Sequence, residues 1–355
     1  MIIKGEQVYY AVSADNVEWS ILQLDLVVAA LVGLTLIHAT IHSNKALFVL
    51  VVAMAHVVEQ SSIRLGGTHC HKPGLFNVGV CQSANSVWFY VPWFYTAFFA
   101  ALRMVRKGFS PASAPLLAGV FSFAFCGAYE MQGPALGWFQ WPDEHQLTYP
   151  AGGATLWQLE PDPQGRGMRV SDHAHAALLE RAFGFPLAAP LYHIAMGIGL
   201  VQAVQLLHAS RRLDRLNPLR TLLSLFFIGP LALLWDLPVR FLEWGGVSKY
   251  TGVPCVMALL LHAPLLFTKP SCTPAASVPS DWLLFSIPLL NSAFLCTRFW
   301  DSPGLVSPDL YVTILTVTVM AMFVHYSAAT RQEGQRPTSA QSGGASKNGA
   351  KTKQR

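Results

Sequence analysis

Three carboxylates stand at the ends of apolar runs, where a chain this hydrophobic leaves them little water: Glu59, Glu130 and Asp236. Ionisable groups in such surroundings are costly, so they face a protein interior and mark a site. Burial raises a carboxyl pKa, and an acid still protonated near neutrality can hand its proton to a reacting group. Glu59, Asp236 and Glu130 are therefore the candidate catalytic residues. The competing reading is structural: each acid pairs with Arg64, Arg240 or a loop amide and only ties helices together. Asp236, Arg240 and Glu243 fall on one helical face at i, i+4 and i+7, which suits a salt-bridged strut as well as a site.

Histidines supply a second chemistry. His69-Cys70-His71 and His173-Ala174-His175 are two His-X-His pairs, and His56 shares a helical face with Glu59. Imidazole pairs beside carboxylates suit zinc or iron. The chain holds 12 histidines, enough to produce such pairs by chance. No cofactor is expected on this count, and a metal ion at His69, His71, His173 and His175 is the secondary alternative. His38 and His42, at i and i+4, fall at the far end of the first apolar run and read as interfacial residues.

Aromatic residues crowd the same region: Trp88 to Tyr90, Trp93 to Tyr95, and Trp138, Phe139 and Trp141. They suit an interfacial belt or a wall that stacks on an apolar ligand and shelters a cation. Trp88, Trp93, Tyr129, Trp138 and Trp235 are the candidate substrate-binding residues, Tyr129 and Trp235 because they adjoin Glu130 and Asp236.

The elements that must position these groups are apolar helices. Of the 355 residues 52% are apolar and only 12% charged, about half the charge of a soluble domain. Runs near 20–41, 46–63, 86–105, 114–131, 187–209, 219–237, 252–268, 281–298 and 310–329 approach the ~20 residues that cross a bilayer. The expected fold is all-α, a polytopic integral membrane bundle of about nine spans at that length. A degenerate repeat runs through it: helix, acid, Gly and aromatic loop, Gly-apolar-Pro (or Cys), helix.

More than half of the 24 basic residues fall in alternate connections, which by the positive-inside rule places the N-terminus outside or lumenal and the C-terminus in the cytosol. Residues 1–19 form an outer segment, 20–330 the bundle, with a large outer loop at 142–181. Residues 331–355 lack large apolar groups and form a disordered basic tail suited to anionic lipid. The net charge of +5 gathers into no stripe for nucleic acid. Among the six cysteines, Cys70 and Cys81 share an outer loop where a disulfide would be allowed in an oxidising compartment.

The pattern resembles the membrane carotenoid-biosynthesis family that includes the carotenoid hydratases, over about residues 46–268. The residues that carry the likeness are Glu59 with Gly66, Gly67 and Val78-Gly79-Val80; Glu130 with Gly133, Gly137, Trp138 and Phe183-Gly184-Phe185-Pro186; and Asp236 with Thr251-Gly252-Val253-Pro254. Cys81 stands where proline would, and the 142–181 insertion and the tail are additions. The resemblance implies an acid/base enzyme acting on an isoprenoid or other lipid alkene by hydration, cyclisation or isomerisation. Glu59 or Asp236 would give the proton and the other would orient water. The partners expected are a hydrophobic ligand and membrane lipids, without nucleic acid. Two other classes remain: a proton- or ion-coupled transporter using the same acids, and a non-catalytic membrane scaffold working through its tail.

Overall fold

The structure, a computed structural model, describes residues 10–12, 18–64, 69–72, 74–78, 84–106, 110–136, 138–140, 148–149, 159–161, 168–170, 181–182, 185–186, 189–208, 216–244 and most of 283–294. The expected spans at 252–268 and 310–329, the tail, and His173, His175 and Cys81 lie outside the described residues.

The described chain is predominantly helical. Apolar runs fold this way because a helix satisfies its backbone N–H and C=O groups internally. Five of the expected spans coincide with α1 (Trp19–Ile41), α2 (Lys45–Arg64), α3 (Ala84–Arg106), α4 (Ala114–Ala135) and α5 (Ala189–Leu207). The sixth is interrupted at Ser224, giving α6 (Pro218–Leu223) and α7 (Leu225–Trp244). Ser224 Oγ donates to the Arg220 carbonyl at 3.1 Å, a side-chain bond that competes with the helical ladder. Pro218 starts α6 behind an Asn217 cap, whose side chain accepts from Arg220 N. Between α1 and α2 the chain reverses through Ser43, held at a left-handed φ of 57°.

Among the described residues, α1 alone is long and apolar enough throughout to cross a bilayer; Pro111–Gly127, Leu191–Leu207 and Leu225–Trp235 are shorter apolar segments. Short strands tie the loops. β1 (Tyr10–Val12) pairs with β3 (Phe76–Val78), and β2 (Cys70–His71) with β4 (Phe139–Gln140), both antiparallel. Within the long connection, β5 (Thr148–Tyr149), β6 (Leu159–Pro161) and β7 (Met168–Val170) make a three-stranded sheet, and β8 (Arg181–Ala182) pairs with β9 (Phe185–Pro186).

Helix α3 is the centre of the bundle and packs against α1, α2 and α4. Its Phe89, Trp93, Phe94, Tyr95 and Phe98 are all buried, so these aromatics form core rather than an interfacial belt. Glycines bring α4, α5 and α7 together backbone to backbone. A Cβ on Gly119 would stand 2.7 Å from the Ile194 carbonyl, one on Gly197 2.7 Å from the Ala118 carbonyl, and one on Gly199 2.7 Å from the Ile228 carbonyl. Small residues at such crossings are how helices pack when van der Waals contact drives association.

Apolar side chains fill the core and also face outward. Leu26, Ile37 and Ile41 of α1 and Phe226, Leu233 and Leu234 of α7 point outward, Phe226 at 73% exposure. Thr35, His38, Glu59, Glu130 and His193 point inward and are buried. Because neighbouring helices run antiparallel, the late turns of α2 and α4 meet the early turns of α3 and α5. Glu59, Glu130, Tyr90 and His193 therefore collect at one end. His38 lies at the other, buried rather than interfacial, with its Nδ1 in a 2.9 Å hydrogen bond with Tyr95 Oη.

Candidate metal centre

Glu59 sits late in α2 with no exposed surface. Its Oε1 is approached by Nε2 of His69 at 3.2 Å and by Nε2 of His71 at 3.1 Å. One ligand atom from each of the three residues lies within 4.8 Å of the others. Among the described residues this is the one group of three or more such ligands. Ligands on a metal at 2.0–2.1 Å, spread by 90–110°, stand about 2.9–3.4 Å apart. The two Glu59–imidazole separations meet that spacing and are also the lengths of hydrogen bonds from the imidazoles to the carboxylate.

The loop that presents the histidines is held from several sides. His71 pairs with Phe139 and Cys70 with Gln140 across β2 and β4. Lys72 N donates to the Trp138 carbonyl at 3.0 Å, and Lys72 Nζ meets Glu18 Oε1 at 2.7 Å. Farther on, Leu75 N donates to Asp25 Oδ2 on α1 at 2.7 Å. Gly74 is needed there, because a Cβ would lie 2.8 Å from the same oxygen. Phe139 then wedges the two imidazoles, with ring centroids 5.8 Å from His69 and 5.1 Å from His71. Gly133 makes room for it: a side chain at that position would occupy the Phe139 ring.

Burial pulls both loop imidazoles toward their neutral forms. At His69 the Glu59 carboxylate outweighs burial and holds the ring above the ordinary histidine range. At His71 burial wins, and the ring stays below that range.

A second carboxylate–imidazole pair stands alongside. Nε2 of His193, early in α5, is 2.9 Å from Oε1 of Glu130, late in α4, and both are buried. The Glu130 charge acts on both His69 and His71, so the two pairs form one electrostatic unit. Aromatic rings join them. Tyr90 is 5.6 Å from His193, Phe89 is 3.7 Å from Tyr129, and Tyr129 stacks on Trp138 and Phe139 at 5.8 and 5.4 Å.

Of the expected catalytic residues, Glu59 and Glu130 come together; Asp236 lies in α7 with its side chain outside the described residues. Tyr129, Trp138 and, one turn deeper, Trp93 belong to the aromatic shell, and Trp88 stands against His56 at 5.9 Å. Trp235 does not join them. It donates to Gln202 Oε1 at 2.9 Å, binding α7 to α5, nine residues or about 13 Å along α5 from His193. His69 and His71 meet Glu59, whereas His173 and His175 are not described. Residue types and spacing do not reveal His193 as the partner of Glu130 or Phe139 as the wedge; the one sequence signal for Phe139 is the glycine six residues before it.

Comparison with known proteins yields no match to a family model, a curated protein or a solved structure.

Proposed function

We propose that the chain is a membrane-embedded metalloenzyme in which Glu59, His69 and His71 hold a divalent transition metal that activates water against a lipid. The convergence of one carboxylate and two imidazole nitrogens in a fully buried site carries this reading. Two imidazoles and a carboxylate suit zinc or non-haem iron. Three protein ligands leave a coordination position open, as in catalytic rather than structural sites. A metal held by these residues would supply Lewis acidity for activating water near neutral pH. Glu130, whose Oε2 is buried without a hydrogen-bond partner among the described residues, would serve as the base and share its proton with His193.

In this reading Glu59 is a ligand, not the donor to an alkene, since a carboxylate approached by two imidazoles is a poor proton source. The lipid substrate follows from the surroundings. Outward apolar faces on α1, α6 and α7 suit contact with acyl chains, and polar groups turned inward suit a multi-pass bundle whose sites face its interior. The helix-pair repeat and the likeness to carotenoid hydratases add to this reading of the substrate class. A second reading, proton-coupled transport, draws on the same two carboxylate–imidazole pairs.

The deciding experiment is the metal content of detergent-purified wild type and of His69→Asn/His71→Asn. One metal per chain that disappears in the double variant supports the enzyme reading. A metal-free wild type that takes up none from micromolar zinc or iron refutes it and favours the proton relay.

A further inference from the structure

Buried polar atoms in folded proteins nearly always have partners, and an exception calls for a ligand or a water. Tyr hydroxyls and Trp indoles in particular find acceptors when buried. Around the triad and its aromatic shell, five such atoms have none among the described residues: the donors Trp93 Nε1, Tyr129 Oη and Trp138 Nε1, and the carboxylate oxygens Glu59 Oε2 and Glu130 Oε2. Their residues are at most 4% exposed. They also belong to one packed cluster. Trp93 meets Phe89 at 5.5 Å, Phe89 meets Tyr129, and Tyr129 stacks on Trp138 and Phe139, the latter against both imidazoles. Tyr129 feels the charges of both Glu130 and Glu59.

We infer that this aromatic shell binds the oxygen of a neutral lipid, an alcohol or a ketone, with Tyr129, Trp138 and Trp93 as hydrogen-bond donors. The inference rests on the metal-centre reading for the lipid character of the substrate, and adds its head group. The two indole N–H groups can only donate and the Tyr129 hydroxyl can donate too, so the shell calls for an acceptor oxygen, which a pure hydrocarbon lacks. The free oxygens of the two carboxylates are acceptors, so a neutral group that can donate as well as accept is favoured over an anionic one, which can only accept. An alcohol satisfies both sets at once, accepting from the phenol or an indole and donating to a free carboxylate oxygen. The apolar faces of the same rings take the adjoining methylenes, as amphipathic Tyr and Trp side chains do at wet–dry boundaries.

The test uses the full chain in nanodiscs with two brominated quenchers of tryptophan fluorescence that differ in one oxygen, 9,10-dibromooctadecan-1-ol and 9,10-dibromooctadecane. The alcohol is expected to quench saturably at a concentration about tenfold below the alkane, the worth of one hydrogen bond. Tyr129→Phe and Trp138→Phe should each bring the two half-saturation points to within about threefold of each other. Bound metal is measured on the same samples, so a variant that has lost its fold is recognised by lost metal. Equal half-saturation in the wild type overturns the inference, because the unpartnered atoms then hold water. A preference that survives in Tyr129→Phe, Trp138→Phe and Trp93→Phe alike overturns it too. Absence of metal in a wild type that still prefers the alcohol would defeat the metal reading and leave the lipid site standing.

Discussion

Replacing Glu59 by glutamine keeps the shape of the side chain and one carbonyl-type oxygen, but removes the charge that two imidazoles converge on at 3.2 and 3.1 Å. A structural zinc site of four ligands is worth about 10–16 kcal/mol in all, or roughly 3 kcal/mol for each ligand. Losing most of one ligand in a three-ligand site should therefore weaken metal binding by about a hundredfold. The residue has no exposed surface, so no solvent screens the missing charge. Competition for zinc against a fluorescent chelator, with the protein in nanodiscs, reads the change directly. His38→Gln serves as the control, because His38 is equally buried but lies at the opposite end with Tyr95 as its partner. It should leave zinc affinity within about threefold of wild type, a change below 1 kcal/mol. Wild-type affinity in Glu59→Gln, or an equal fall in both variants, would refute the argument that the carboxylate is a ligand.

Gly133→Ala should gain about 1 kcal/mol of helix propensity, yet it displaces Phe139; zinc affinity is expected to fall severalfold although no ligand is touched, and unchanged affinity would show that Phe139 does not hold the imidazoles. Gly197→Leu forces α4 and α5 apart at a backbone contact, an overpacking cost of about 1–3 kcal/mol or more, visible as a lowered melting temperature in detergent. Asp25→Asn removes the charged acceptor of Leu75 N and should speed amide exchange at residues 74–78 by roughly tenfold, the worth of a bond to a charged group. Chelation of the metal should lower the melting temperature by several degrees, since a ligand at about a hundred times its Kd adds ~2.7 kcal/mol to the folded state; a melting point indifferent to chelator would argue that the metal does not occupy the bundle.

The burial of Glu59 and Glu130 was legible because each carboxylate stands in an apolar run, where a buried acid needs a partner. Their imidazole partners were legible only as residue types. His69 and His71 occur in a pattern too short to stand above chance, and their meaning comes from β2 pairing with β4, which folds the loop back over the end of α2. That pairing depends on contacts about 70 residues apart, between His71 and Phe139, and no local periodicity encodes it. The helices α1 to α5 followed from hydrophobic runs, whereas the interruption at Ser224 turns on one hydroxyl choosing a backbone carbonyl. Trp93, Phe94 and Tyr95 have the composition of a membrane-interface belt; their burial follows from α3 being surrounded by other helices, a fact of topology. The inner face of α1, with Leu24, Leu31, Thr35 and His38 inward and Leu26 and Ile37 outward, was hidden for the same reason: its sequence is apolar nearly all round, so only its neighbours reveal which face is inside.

Whether one carboxylate and two imidazoles hold a metal is read from X-ray absorption on zinc-loaded protein. The expected spectrum has a first shell of nitrogen and oxygen at about 2.0–2.1 Å, outer-shell scattering from two imidazoles, and loss of that imidazole signal in His69→Asn/His71→Asn. Zinc without imidazole scattering, or an unchanged spectrum in the double variant, would contradict it.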